Sequence, residues 1–281
     1  MADNSEQKLK AIKLRELHRG PKALVLANVW DVASARIVEE AGFPALATTS
    51  AGVAFSLGYP DGQKISREEM LARVGRIARA VKVPVTADVE AGYGNRPEDA
   101  ARTAREVIEA GAVGINLEDG TGDRSSPLVD LSLQLEKIRA TREAALNAGV
   151  LLVVNARTDV YLDEVGAPEM RYYEAMNRVR AYRDAGADCV FVPGLRDAET
   201  IGRLVKDAQC PINILAGAGS PSIPELEKLG VARVSLGSGP MRATLGVLRQ
   251  IAEELKSSGT YSALQNAPSH SSVNQLLGPR S

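Results

Sequence analysis

The 281-residue chain is 44% hydrophobic and 25% charged, the balance of a soluble globular protein with material for a sizeable core. With 34 basic and 35 acidic residues its formal net charge is −1, which excludes a global field for nucleic acid or an anionic membrane as partner. No run of about 18 apolar residues is present to span a bilayer, and Cys189 and Cys210 show no metal or redox spacing, so a cytoplasmic protein with reduced thiols is expected.

The N-terminal stretch MADNSEQKLKAIKLRELHRG is polar, helical in character, and lacks the apolar core of a secretion signal. Eight short β-branched runs follow: 23–28, 44–50, 83–90, 112–119, 150–158, 187–193, 211–217 and 232–237. Between them lie segments of helical periodicity, such as 66–81, 97–110 and 204–209. Strands this short, apolar on both faces and separated by helices, point to a parallel sheet covered by helices. Five helix ends carry the same punctuation, Gly42, Gly111, Gly149, Gly186 and Gly230, where glycine in the left-handed region closes a helix before the next strand. The pattern fits a (β/α)8 TIM-type barrel, whose usual size is about 250 residues. A doubly wound open sheet competes, but no G-x-G-x-x-G opens the first βα unit, which reads NVWDVASA. Residues 1–256 are expected to form the barrel. Residues 257–281, rich in Ser, Asn, Gly and Pro, form a polar tail that is either flexible or packed on a neighbouring subunit.

Catalytic groups of such barrels come from the C-terminal ends of several strands. Those ends carry Asn28, Trp30 and Asp31, then Ser50, Ala51 and Gly52, then Asp88 and Glu90, then Glu118 and Asp119, then Arg157 and Asp159, then Asn213. Asp88 and Glu90 are two apart, so on a strand they point into one mouth, and Glu118 joins them from the next strand. Unpartnered carboxylates this close raise one another's pKa. A hard divalent cation, Mg²⁺ with Mn²⁺ as the alternative, removes that conflict. The competing reading is that these acids pair with arginine or cap helices. Arg157 suits bidentate capture of a carboxylate, or else pairs with Asp159 or another acid. His18 and His270 lie away from the strand ends, and no lysine falls at one, which argues against histidine acid–base chemistry and a Schiff base. Trp30 and Cys189 read as packing residues.

Four segments, NVWDVASARIVEEAGFPALATTSAGVAFSLGYPDG, VTADVEAGYG, GINLEDGTG and NARTDVYL, occur in the order seen in the isocitrate lyase / phosphoenolpyruvate mutase superfamily, which the chain resembles from about residue 9 to 255. The resemblance implies a barrel whose eighth helix is exchanged between subunits of a dimer or tetramer. It also implies Mg²⁺, a small 2-oxo or 2-hydroxy carboxylate substrate, and chemistry through an enolate. By motif, Asp88 resembles the direct metal ligand, and Glu90 and Glu118 its water-mediated partners. Asp61 matches a further acid of that shell, Ser50, Ala51 and Gly52 the cradle for the substrate carboxylate, and Arg157 the substrate-binding arginine. Arg157, Asp61 and Glu118 are thus the expected catalytic set, and Asn213 a further substrate contact from its strand end.

The loop after the fourth strand departs from the pattern. It reads EDGTGDRSSPLVD, without the Lys-x-Cys-Gly-His segment of the isocitrate lyases or the Lys and Asn-Ser of the phosphonate-processing members, and Ser125 and Ser126 are the nearest polar substitutes. The expectation is therefore a Mg²⁺-dependent carbon–carbon lyase or decarboxylase. The alternatives are carbon–phosphorus chemistry, a phosphosugar barrel using AGAG (216–219) and GSGP (237–240), and a non-catalytic metabolite-binding barrel.

Overall fold

A computed structural model describes residues 5–278. Its strands are β1 (Leu24–Leu26), β2 (Asn28–Val29), β3 (Leu46–Thr48), β4 (Val85–Asp88), β5 (Gly114–Glu118), β6 (Val153–Arg157), β7 (Cys189–Phe191), β8 (Ile212–Leu215) and β9 (Arg233–Ser235). All pair in parallel, in the order β1-β9-β8-β7-β6-β5-β4-β3-β2. The two ends of that order flank Ala27 in one extended segment, so the sheet closes on itself as a TIM-type barrel.

All eight expected strand positions are occupied, and the first is split. Its first half pairs with β9 and its second with β3, so the ladder changes partner at Ala27. Asn28 joins the seam: its Nδ2 donates to Thr48 O at 2.9 Å, and its Oδ1 accepts from Leu236 N at 2.8 Å and Gly237 N at 2.9 Å. A side chain thereby carries the pairing that a twisted strand cannot give to both neighbours at once.

The helices are α1 (Ser5–Leu17), α2 (Val32–Glu40), α3 (Ser50–Ser56), α4 (Arg67–Ala80), α5 (Pro97–Glu109), α6 (Leu131–Asn147), α7 (Arg171–Asp184), α8 (Ala198–Ala208), α9 (Ile223–Lys228), α10 (Gly239–Ser257) and α11 (His270–Leu277). Local sequence explains their starts. Asp31, Ser66 and Ser222 each open a helix with a capping box, and Pro97 sits in the first turn of α5. The five expected helix-closing glycines all have positive φ, from 68° at Gly149 to 105° at Gly186.

The apolar layer lies between strands and helices, and the barrel lumen is polar. Arg233, fully buried, reaches from β9 across the barrel to Asn116 on β5 (Nη2 to Oδ1, 3.2 Å), and Asn155 Nδ2 joins the same oxygen at 2.8 Å. Beneath the barrel α1 contributes the buried Leu14, and the turn that follows it the buried His18. Burial, reinforced by the Arg233 charge, lowers the His18 pKa to about 4, so the imidazole is neutral. At the other end of the chain, α10 buries only Met241 and leaves Leu245, Val247, Leu248 and Leu255 exposed. The polar tail forms a 3₁₀ turn at Ser262–Leu264 and then α11, which lies beside α2.

Candidate active site

β4 ends in Asp88, 8% exposed. Its Oδ2 accepts the Ser50 N–H at 3.0 Å and the Ser50 hydroxyl at 2.8 Å, and its own N–H donates to Thr48 Oγ1 at 2.9 Å. Ser50 opens α3, so the carboxylate sits where the helix dipole favours negative charge. Thr49 caps that helix by accepting the Gly52 N–H at 3.3 Å. Ala51, also in the first turn, has an N–H with no intrahelical acceptor. Gly52 is needed for packing, because a Cβ there would stand 2.5 Å from Thr49 Cγ2. The second oxygen of Asp88, Oδ1, is buried with no hydrogen-bond partner.

Glu90 follows two residues on, 3% exposed, and its Oε2 accepts the Gln63 N–H. Burial, with the charges of Asp88 and Asp61, pushes Glu90 from 4.5 to about 7. Glu118, at the end of β5, lies in register with Arg157 at the end of β6, and the two form an ion pair. Burial holds Glu118 well above the ordinary carboxylate range against the pull of Arg157, and Asp159, Asp88 and Glu90 raise it further. Arg157 also donates from Nε and Nη2 to the two oxygens of Asp159, at 2.6 and 3.0 Å, and stands 5.9 Å over the Phe191 ring. Burial works against the Arg157 charge, and Glu118, Asp159 and Asp88 overcome it. Asp61, exposed at the rim, is raised by desolvation and by Asp88, against the pull of its Gly62 N–H bond. Five acids, Asp61, Asp88, Glu90, Glu118 and Asp159, thus share the field of one guanidinium.

Among the described residues no three His, Cys, Asp or Glu side chains converge into a ready-made cation cage. Glu90 is turned to Gln63 and Glu118 to Arg157, which leaves Asp88 Oδ1, among the described residues, as the buried carboxylate oxygen without a partner. An oxygen-rich, electrically uncompensated mouth with one open carboxylate oxygen fits a hard cation held directly by Asp88 and through water by its neighbours.

The expected residues Ser50, Ala51, Gly52, Asp61, Asp88, Glu90, Glu118 and Arg157 come together at this mouth. Asn213 does not. It is fully buried, and its amide exchanges hydrogen bonds with the Ser235 hydroxyl at 3.0 and 3.1 Å, tying β8 to β9. Asp119, next to Glu118, faces away: its Oδ2 accepts from Tyr182 Oη at 2.5 Å and Arg178 Nη1 at 3.1 Å on α7. The loop after β5 is folded on itself, with an antiparallel bridge from Gly120 to Leu128. Ser125 gives both its N–H and its hydroxyl to Asp123 at 2.8 Å. Trp30 packs against the small cluster of Val53, Ala54, Ile65 and Met70.

Two contributors were not legible in the sequence. Lys137 on α6 is 1% exposed and donates to Ala91 O at 2.6 Å and Gly94 O at 3.1 Å, clamping from below the turn that carries the acids. Its signal is faint: Gln134, Lys137 and Thr141 share a helical stripe that reads as a solvated face. Gln63 is the second, joined to both Glu90 and Tyr93.

A closed parallel barrel with acids and a paired arginine at its C-terminal mouth has the layout of a barrel enzyme's active site. The family model described as phosphoenolpyruvate phosphomutase matches residues 14–256. The chain is 31% identical to 2,3-dimethylmalate lyase of Eubacterium barkeri over 233 residues, covering 78% of this chain and 77% of that protein. A solved structure from Burkholderia cenocepacia, described as a proposed lyase/mutase, superposes with a TM-score of 0.92 at 38% identity, covering 98% of this chain and 97% of its own. A phosphonopyruvate hydrolase in complex with oxalate and Mg²⁺ superposes with a TM-score of 0.83 at 25% identity, over 95% of this chain and 94% of its own. The chain belongs to the phosphoenolpyruvate phosphomutase family, within the PEP mutase/isocitrate lyase superfamily.

Proposed function

We propose that this protein is a Mg²⁺-dependent lyase that cleaves a carbon–carbon bond of, or decarboxylates, a small 2-oxo or 2-hydroxy carboxylate by way of a pyruvate-like enolate. The observation that carries the proposal is the unpartnered Asp88 Oδ1, buried in a cluster of acids opposite Arg157. Asp88 would hold Mg²⁺ or Mn²⁺ directly, with Asp61, Glu90 and Glu118 holding it through water. The bound cation supplies Lewis-acid stabilisation of the negative charge that develops on the substrate oxygens.

The chain's own groups orient the substrate. The first turn of α3, at Ser50, Ala51 and Gly52, offers its helix N-terminus and the Ala51 N–H to a carboxylate. Arg157 has five N–H donors, of which Asp159 takes two and Glu118 pairs with the Nη1 side, so its fork is held in one plane facing the mouth. The loop after β5 offers no Cys, His or Lys as an acid, so the reaction leans on charge stabilisation at the enolate oxygen.

The exposed leucines of α10 support exchange of that helix between the subunits of a dimer or tetramer, with residues 1–256 as the catalytic barrel and 257–281 as an appended tail. Among the described residues no helix is long and apolar enough to cross a membrane, and both cysteines are free, which supports a cytoplasmic setting.

The test is Asp88→Asn with a panel of 2-oxo and 2-hydroxy acids and Mg²⁺, following pyruvate or other enolate products. Turnover and Mg²⁺ dependence left intact in the variant would sink the proposal. Carbon–phosphorus cleavage is the second reading, supported by the match to the phosphoenolpyruvate phosphomutase family and weakened by the absence of that family's loop Lys and Asn-Ser, and phosphorus NMR with phosphonopyruvate decides it: an unchanged spectrum removes that chemistry.

A further inference from the structure

Among the described residues five non-glycine residues adopt a left-handed backbone, and three of them meet at one point: Gln63 (φ 55°), Glu90 (φ 52°) and Tyr93 (φ 58°). Gln63 joins the other two. Its N–H donates to Glu90 Oε2, and its side-chain Oε1 accepts the Tyr93 N–H at 2.8 Å. Side chains other than glycine, asparagine and aspartate rarely adopt this conformation, and clusters of such residues mark places where the surroundings impose geometry.

The two segments joined there differ in how they are held. The turn after β4 is fixed from several sides: Lys137 bonds Ala91 O and Gly94 O, Thr103 Oγ1 donates to Gly92 O at 2.7 Å, and Glu118 N donates to Glu90 O at 3.0 Å. The rim turn that carries Asp61 is exposed, and Asp61 itself accepts only a local contact, the Gly62 N–H at 3.0 Å. Gln63 is two residues from Asp61 and ties the loose turn to the rigid one. The tie also bears on Tyr93, whose hydroxyl is buried without a partner in the field of Glu90, Asp88, Glu118 and Asp61.

We infer that Gln63 is a positioning residue: its two-sided clasp sets Asp61 and Glu90 at the distances from Asp88 at which they can share a water-filled cation shell. The inference rests on the proposed metal site. Groups that orient ligands without touching the metal usually change its affinity by about 10- to 100-fold, and the Gln63 amide has that place here. A merely structural turn residue would instead affect folding.

The experiment measures Mn²⁺ binding by electron paramagnetic resonance and thermal melting for the wild type, Gln63→Gly and Gln63→Met. Both variants lose Oε1 but keep the backbone N–H to Glu90. Glycine relieves the left-handed backbone, and methionine retains its strain. The expected result is a Mn²⁺ dissociation constant weakened roughly ten-fold in both, with Gln63→Gly melting no lower than the wild type. Wild-type affinity in both variants overturns the inference alone, as does weakened binding in Gln63→Met only, which would assign the effect to strain. A wild type that binds no Mn²⁺ overturns the inference together with the proposed metal site.

Discussion

Glu90→Gln isolates the electrostatic conflict at the mouth. In the metal-free protein, burial, Asp88 and Asp61 together lift the Glu90 pKa from 4.5 to about 7. At 1.36 kcal/mol per pH unit, that displacement corresponds to about 3 kcal/mol. The folded state therefore holds the Glu90 proton more tightly than the unfolded chain. Between pH 4.5 and about 7 unfolding releases that proton, so this site's contribution to stability is lost as pH rises and levels off above pH 7. Glutamine carries no charge, and its amide oxygen can still accept the Gln63 N–H. The variant should match the wild type near pH 4.5 and exceed it by up to about 3 kcal/mol at pH 8, on the order of 6 °C in Tm. Asp159, also raised by burial, adds the same slope to both proteins, whereas Glu118 is raised in part by Glu90 itself, so the difference between them reports the Glu90 charge together with its push on Glu118. Saturating Mg²⁺ should close the gap, because a cation compensates the wild-type charge and has less to bind in the variant. The assay is thermal unfolding at pH 5 and pH 8, with and without Mg²⁺. A wild-type-to-variant difference equal at both pH values would refute the buried-charge argument.

Lys137→Met keeps the length of the side chain but removes its bonds to Ala91 O and Gly94 O. Denaturant unfolding should show a loss of about 1–3 kcal/mol, and Mn²⁺ titration should show weaker binding as the turn loosens. Gly120→Ala places a Cβ 2.5 Å from Asp159 Oδ2, so Asp159 must withdraw from Arg157. Steady-state kinetics should show kcat/KM falling on the order of ten-fold or more, and unchanged kinetics would deny Asp159 a role in orienting the guanidinium. Removing the exposed apolar contacts of α10 with Leu245→Glu and Leu248→Glu should lower the mass measured by light scattering to that of one chain, if this face is an intersubunit surface.

Much of the barrel was legible because its cues are local. Capping residues, left-handed glycines and β-branched runs each act over a few residues, and each of the eight runs carries a strand, the first split into two. The positions of Asp88, Glu118 and Arg157 as last residues of their strands were legible for the same reason. Asp119 and Asn213 were not. Alternation along β5 sends Glu118 to the mouth and the next residue outward to Arg178 and Tyr182, while Asn213 points into a lumen already closed by Ser235.

The sequence by itself determined an alternating parallel barrel with carboxylates after its third and fourth strands, since periodicity and punctuation are written into neighbouring residues. Only the tertiary structure decided which of those oxygens is free. Glu90 meets Gln63 across 27 residues, Glu118 meets Arg157 on the adjoining strand, and Lys137 rises from α6 beneath the turn. Contacts made across such separations depend on closure of the barrel, and that closure leaves Asp88 Oδ1 buried without a hydrogen-bond partner.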